Sequence, residues 1–422
     1  MELMGPGGIA VLPAAPERLR SRNMTYAYRQ DSDFFYITGF REPEAVAVLI
    51  PGRRQGEFLM FCRERDKARE LWDGVRAGPE EVVAEYAADD AFPMDDIEEI
   101  LPGLLEQSER VYYSMGVFTE FDQRLLGWMN QLHLRRQSGH APDELIALDH
   151  LLHEMRLFKS RREVGVMKRA ARIAAAGHRR AMTVCRPGMK EYELEAEFRH
   201  EFARHGAECS YAPIVAAGAN ACILHYTDNN DVLSDGDLIL IDAGCEYELY
   251  ASDVTRTFPI NGRFSAPQRA LYDIVYRANA AAVEKVQPGN HWNDPHDAAV
   301  KEITRGLRDL GILKGRLPSL IKSEAYRPYF MHKTGHWLGI DVHDVGDYRV
   351  AEQPRLLEPG MVMTVEPGIY IPPNVRGIPK RWKGIGIRLE DDVHLSRTGP
   401  EVLSDQLPSS AEEIEAFMER TH

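Results

Sequence analysis

The stretch Leu238-Ile239-Leu240-Ile241-Asp242-Ala243-Gly244, followed by Tyr250-Ala251-Ser252-Asp253-Val254-Thr255-Arg256-Thr257, decides how this chain is read. The first part is an apolar run of strand length that ends in a carboxylate, and the second alternates as its antiparallel neighbour would. A two-residue turn at Tyr247-Glu248 sets Asp242 directly opposite Asp253, with Cβ atoms about 5 Å apart. Two carboxylates that close on a buried strand cannot both be ionised without a positive charge between them, and a metal ion is the economical choice. A lone strand-end Asp is more often a turn or cap residue, so a metal site needs ligands from elsewhere in the chain.

Three later segments offer them. The run Met331-His332-Lys333-Thr334-Gly335-His336-Trp337-Leu338-Gly339-Ile340-Asp341-Val342-His343-Asp344 holds three histidines, interleaved with glycines that permit close backbone approach. Met361-Val362-Met363-Thr364-Val365 repeats the apolar-strand pattern and ends in Glu366-Pro367-Gly368. In Gly386-Ile387-Arg388-Leu389-Glu390-Asp391, alternation puts Ile387 and Leu389 on a core face and Arg388 and Glu390 on a polar one. Four carboxylates and one imidazole, each at or within a strand, are thus candidates for one cavity. Four negative charges call for two divalent cations, leaving a near-neutral site able to hold a hydroxide. Carboxylates bridging ions about 3.5–4 Å apart are the arrangement that activates water for hydrolysis. Oxygen-rich ligation with one imidazole favours Mn²⁺, Co²⁺ or similar ions over a cysteine-rich zinc site.

At 422 residues the chain is long enough for two domains, and its 44% apolar and 27% charged content is that of a soluble globular protein. Lys and Arg total 51 against 65 Asp and Glu, a net charge of −14 that argues against nucleic acid or an anionic membrane as partner. The apolar patch Ile9-Ala10-Val11-Leu12 is short, lacks a basic segment before it and is broken by Pro13, so no signal peptide is expected. No apolar run approaches the roughly 20 residues of a membrane span. The five cysteines (62, 185, 209, 222 and 245) are scattered without Cys-x-x-Cys spacing, which fits reduced thiols in the cytoplasm.

Residues 1–150 read as an α/β unit, with strands over 34–38, 45–50, 58–61 and 111–114 and helical spacing over 80–86, 94–101 and 121–133. The polar segment Arg135-Arg136-Gln137-Ser138-Gly139-His140-Ala141-Pro142 is the linker candidate, and the domain boundary is expected near 140–160. Beyond it a loose echo is visible. Helices over 163–185 and 191–205 precede strands around 210–258, and helices over 267–286 and 294–310 precede strands from about 336 to 393. Capping boxes Ser265-x-x-Gln268 and Ser410-x-x-Glu413 open the third of these helices and a short terminal one. Helix-helix-sheet twice over suggests two similar halves facing a shared centre.

With these residues laid out, the chain resembles the Xaa-Pro aminopeptidases (aminopeptidase P) of the pita-bread metallopeptidase superfamily, which also holds prolidases and methionine aminopeptidases. The resemblance covers nearly the whole chain. It rests on Tyr28-Arg29-Gln30-Asp31-Ser32-Asp33-Phe34-Phe35-Tyr36-Ile37-Thr38-Gly39-Phe40, His153-Glu154-Met155-Arg156-Leu157-Phe158-Lys159-Ser160 and Ile223-Leu224-His225-Tyr226. It rests equally on the segments around Asp242, Asp253, His336 and Glu390, and on Thr364-Val365-Glu366-Pro367-Gly368-Ile369-Tyr370. The fold it implies is α+β: a smaller N-terminal α/β domain over 1–150, for oligomerisation and pocket shaping, ahead of a C-terminal pita-bread catalytic domain over 151–422 with two pseudo-symmetric halves.

Residue by residue, the resemblance implies that Asp242, Asp253, His336, Glu366 and Glu390 hold two divalent ions per chain, usually manganese. Asp253 and Glu390 would bridge them, and Glu366 would take the proton from the bridging water. His225, His332 and His343 would line the substrate, with Arg388 and Tyr370 as supporting partners. Trp72, in Glu70-Leu71-Trp72-Asp73-Gly74, and Asp33 match motifs from which a neighbouring subunit can approach the pocket in a dimer or tetramer. The activity implied is hydrolysis of the N-terminal Xaa-Pro bond of peptides by a hydroxide activated between the two ions. The alternatives are a prolidase restricted to Xaa-Pro dipeptides and a peptide-binding module without catalysis. Retention of all five ligands weighs against the second, and methionine aminopeptidases lack such an N-terminal domain.

Overall fold

The run Leu238–Asp242 is a strand buried along its whole length in the computed structural model of the chain, which describes residues 1–135 and 140–421. Antiparallel neighbours Ile214–Ala217 and Thr255–Pro259 flank it, which is why nearly every residue of the run is apolar. The chain falls into two compact units, Met1–His153 and Glu154–His422, and the architecture is α+β.

In the second unit the echo becomes structure. Helices Arg161–Val184 and Glu191–Ala203 accompany the three strands above, and helices Ala266–Val283 and Asn293–Asp309 accompany strands Val362–Val365, Asp391–Ser396 and Gly399–Val402. A ribbon of Gly368–Ile371 and Ile385–Arg388 belongs to the second half. The halves meet at an isolated bridge between Thr255 and Glu390, and one apolar core runs through both. Both expected capping boxes are present, at Ser265 with Gln268 and at Ser410 with Glu413.

The hairpin after Asp242 turns one residue later than the spacing predicts. Glu248 and Leu249 both take positive φ, 51° and 64°, as the two central residues of a type I′ turn do. Tyr247 therefore pairs with Tyr250, and Asp242 lies opposite Thr255 rather than Asp253. Because the register moves by two residues, Asp253 stays on the same face as Asp242, now as a diagonal neighbour.

The first unit is built on a six-stranded mixed sheet among the described residues. Its strand order is Asp90–Pro93, Phe58–Cys62, Val46–Leu49, Gly8–Pro13, Arg110–Tyr112 and Glu144–Ile146. Alternation along Gly8–Pro13 sends Ile9 and Val11 into one core, with helices Ile97–Glu106 and Thr119–Leu134, and Ala10 and Leu12 into another with Phe34 and Phe40. The strand expected over 34–38 is a helix, Ser32–Thr38. Asp31 caps it by accepting from Phe34 N, and Gly39 ends it at φ 67°, so local capping overrides the β propensity of an aromatic-rich run too short to show a period. Of the expected linker, residues 136–139 lie outside the described residues.

His178 ties the first long helix to the chain just after Asp253. It is fully buried, its Nε2 lies 2.9 Å from Val254 O, and its ring stands edge-on to Phe198. Burial, and then Arg256, push its pKa down from 6.5 to about 3. The unfolded chain takes up this proton below pH 6.5 while the folded chain does not until about pH 3. The contribution of His178 to stability is therefore complete above the unfolded value and falls away as pH drops, by about 1.4 kcal/mol per unit. Urea unfolding followed from about pH 7 to 4.5 should show an acid-side slope that is shallower by one proton in His178→Gln. Equal slopes would refute the assignment.

Candidate metal centre

Asp242 ends strand Leu238–Asp242, and Asp253 precedes strand Thr255–Pro259, so both come from the first half. Glu366 follows Val362–Val365, and Glu390 lies between Ile385–Arg388 and Asp391–Ser396 in the second. His336 is not on a strand as expected. Residues 332–344 form no strand, and their one β-bridge is the isolated antiparallel pair Trp337 with Met363. The segment is instead stitched to the edge of Val362–Val365. Thr364 N donates to His336 O at 2.9 Å, and His336 N donates to Thr364 Oγ1 at 3.1 Å. A Cβ on Gly335 would lie 2.0 Å from Thr364 O, and one on Gly244 would lie 1.7 Å from Ser252 O, so only glycine lets these backbones close.

The five expected ligands line one cavity of about 170 Å³ together with His225, His332, His343, Arg388, Leu224 and Lys333. One ligand atom each from Asp253, His336 and Glu390 lies within 4.8 Å of the others. His336 Nε2 is 3.3 Å from Asp253 Oδ2. Its Nδ1 is 2.9 Å from Trp337 O, and a carbonyl can only accept, so Nδ1 carries the hydrogen and Nε2 is left to face the carboxylates. Arg388 Nη2 donates to Asp242 Oδ2 at 2.6 Å, and its Nη1 donates to Tyr370 Oη at 3.0 Å. Tyr370 in turn is 2.9 Å from His332 Nε2. The His343 ring stands 4.4 Å from that of His336 at 79°. Tyr370 is fully buried behind the cavity.

Trp72 and Asp33 belong to the first unit. Trp72 is 84% exposed on the short helix Lys67–Asp73, and Asp33 Oδ2 lies 3.4 Å from His153 Nε2.

Burial and mutual repulsion govern the charges. Burial raises the Asp242 carboxyl in spite of Arg388, lifts Glu390 well above the usual range with help from Asp253, and brings Glu366 to about 7. Asp253 is the exception: burial raises it, but the hydrogen bond and charge of His336 outweigh that and hold it below its ordinary value. His336 rises to about 9 in return, against its own burial. Three of four carboxylates thus resist ionisation with Arg388 and His336 as facing cations. Divalent ions would supply the missing positive charge, and carboxylate oxygens with one imidazole nitrogen are a donor set that suits them. The residues present fit a metal centre.

Reading by motif missed two supports of this site. Tyr211 Oη lies within hydrogen-bond distance of both Asp242 and Asp253, 2.5 Å from the latter, and its one hydroxyl hydrogen bridges the pair. Tyr211 sits in Cys209-Ser210-Tyr211, which has no alternation and ends in no carboxylate, so no local signal marks it. The second support gives the 153–160 motif its task. Arg156 and Lys159, both buried, donate to Asp344 at 2.6 and 2.8 Å, clamping the segment that carries His343. A Cβ on Gly339 would strike Asp344 Oδ2 at 2.1 Å, a further mark of how tightly this segment is folded.

Comparison with known proteins follows the same lines. The profile of metallopeptidase family M24 matches residues 165–397, and that of the aminopeptidase P N-terminal domain matches residues 1–112. A Xaa-Pro aminopeptidase of Escherichia coli is 47% identical over 421 residues, covering 99% of this chain and 95% of the relative. The structure of Pseudomonas aeruginosa aminopeptidase PepP is similar at a TM-score of 0.98 and 56% identity, covering 100% of this chain and 96% of that one. A zinc-substituted Escherichia coli aminopeptidase P in complex with product is similar at a TM-score of 0.97 and 46% identity, with the same coverage.

Two outcomes are expected. Asp344→Asn leaves Arg156 and Lys159 buried without their shared anion and should cost about 3–5 kcal/mol in denaturant unfolding; a loss below about 1 kcal/mol would remove Asp344 from this role. A divalent ion at about 100 times its Kd should stabilise the protein by about 2.7 kcal/mol. The Asp253→Asn, Glu390→Gln double variant should lose that gain, and an equal thermal shift in both proteins would locate binding elsewhere.

Proposed function

Since this chain belongs to metallopeptidase family M24 and carries the aminopeptidase P N-terminal domain ahead of it, we propose that it removes the N-terminal residue from peptides with proline in second place. The convergence of five ligating side chains with three histidines and Arg388 around one cavity carries this reading. Asp242, Asp253, His336, Glu366 and Glu390 would hold two divalent ions, manganese in our reading. When bound, the ions supply Lewis acidity and lower the pKa of a water, so that it is a nucleophile at neutral pH.

The chain's own residues do the rest. Glu366, the carboxylate that follows strand Val362–Val365 into the cavity, would take a proton from the attacking water and return it. Return matters because the prolyl nitrogen bears no hydrogen in the peptide and must be protonated to leave. His343, exposed at the mouth of the cavity beside His336, would donate one N–H to the developing oxyanion. His332, at about 4 through burial and Arg388, is neutral and leans on Tyr370, which makes it an uncharged wall for the proline ring. His225 lies opposite on the exposed rim. Arg388 holds Asp242 in orientation while anchored to Tyr370.

The N-terminal domain would shape the pocket across a dimer or tetramer, with Trp72 as the side chain offered to a neighbouring copy. Asp33 already faces His153 in its own chain, so Trp72 carries that part of the proposal. The prolidase alternative is not favoured, because the similar proteins are Xaa-Pro aminopeptidases. Among the described residues no helix is long and apolar enough to cross a membrane, and we propose a cytoplasmic location.

Glu366→Gln removes the proton carrier. With manganese-loaded protein and an Xaa-Pro-Xaa tripeptide, kcat should fall by about 10²–10⁴. A kcat within tenfold of the unsubstituted enzyme would exclude Glu366 as the base.

A further inference from the structure

The cavity of the metal centre, about 170 Å³, is smaller than the roughly 300–1,000 Å³ that enclose most bound small molecules. A peptide of three or more residues must extend out of it. A second cavity of about 460 Å³ adjoins, and Lys333 lines both. The other walls of the second cavity include Trp292, Tyr348 and Arg349. Its floor is rigid: the Trp292 and Tyr348 rings are 4.6 Å apart, and Tyr348 stacks on fully buried Trp337 with 2° between their planes. Aromatic surface of this kind gives a peptide contact area with little loss of side-chain entropy.

Charge then decides which end of the peptide lies there. Lys333 is exposed, and although its carbonyl accepts from His332 Nδ1 at 2.7 Å, its ammonium makes no ion pair or hydrogen bond among the described residues. Arg349 adds positive charge at the same rim, although Glu352 lies 3.7 Å from it. Asp297 is near enough to feel the charge of Lys333, but no ion pair forms between them among the described residues. In a chain of net charge −14, a cation left unpaired between two cavities is suited to an anion that arrives from solution. A peptide ends in an ammonium at one terminus and a carboxylate at the other, and Lys333 repels the first and attracts the second.

We infer that the substrate leaves the metal centre past Lys333, with the part downstream of the scissile bond on the Trp292–Tyr348 floor, and that Lys333 pairs with the C-terminal carboxylate of short peptides. The inference rests on the Xaa-Pro aminopeptidase reading and deepens it. Lys333 becomes the residue that reads peptide length and C-terminal charge, so tripeptide and tetrapeptide free acids are preferred over their amides.

The test compares an Xaa-Pro-Leu tripeptide with its C-terminal amide on the manganese-loaded enzyme. The free acid should be favoured by about three- to tenfold, expressed in KM. That ratio should fall to near one in Lys333→Ala and invert in Lys333→Glu. An absent preference in the unsubstituted enzyme, or one that survives both substitutions, overturns the inference. Failure of the parent reading looks different, since neither peptide would then be cleaved. Calorimetric binding of Pro-Leu against its amide decides the matter without turnover. The acid should lose its advantage in Lys333→Ala, and an unchanged ratio of dissociation constants would overturn the assignment.

Discussion

Four carboxylates buried around one cavity are the constraint that the rest of the second unit answers to. Burying a single ionised carboxylate is costly, and each further one raises the cost for the others. Arg388 meets Asp242, His336 meets Asp253, the Thr255 hydroxyl donates to Glu390 at 2.6 Å, and the Tyr211 hydroxyl bridges the two aspartates. These partners neutralise only part of the charge, as the raised Asp242, Glu366 and Glu390 show. A site built this way is incomplete without cations, and its electrostatics fit what the M24 family does with metals.

The same constraint explains why the two halves must meet where they do. Asp242 and Asp253 belong to one half and His336, Glu366 and Glu390 to the other, so no half holds the centre alone. The joint is made of backbone at Thr255 and Glu390, and a second polar row stands behind it. Arg256 donates to Asp391 at 2.7 Å and also to the Glu390 carbonyl, while Asp392 accepts from Asp253 N at 3.2 Å. The backbones of Asp253 and Glu390 are therefore each held by a residue from the opposite half, whereas His336 and Glu366 are held within their own. Around this joint the apolar core is continuous, which makes displacement of one half a loss of packing as well as of ligand geometry.

What could be read from the sequence follows from how local each signal is. Asp242 and Glu366 announce themselves because an apolar strand ends in a carboxylate, and Glu390 because strict alternation separates it from Ile387 and Leu389. The two helix-helix-sheet halves were legible through their capping boxes and repeated order. The hairpin register was not, since turn position depends on whether Glu248 and Leu249 accept positive φ, which neither residue type advertises. The helix at Ser32–Thr38 was hidden for a related reason: seven residues hold too little period, and its caps Asp31 and Gly39 decide the matter. Tyr211 and the Arg156–Lys159–Asp344 cluster were invisible because their partners lie far away in sequence.

Lys333 marks a different limit. A candidate ligand such as Asp253 sits among buried residues whose packing it disturbs if changed, so fold and chemistry constrain it together. The Lys333 side chain is exposed, pairs with no side chain among the described residues, and borders the centre beside Gly335, whose backbone closes on Thr364. Its side chain can change without cost to the core, and its charge faces the place where a substrate must leave a cavity too small to contain it. Residues proposed to hold metals and residues proposed to choose among peptides therefore obey separate physical rules. The first are fixed by charge burial at the joint of two halves. The second are free surface positions whose meaning comes only from the cavities they divide.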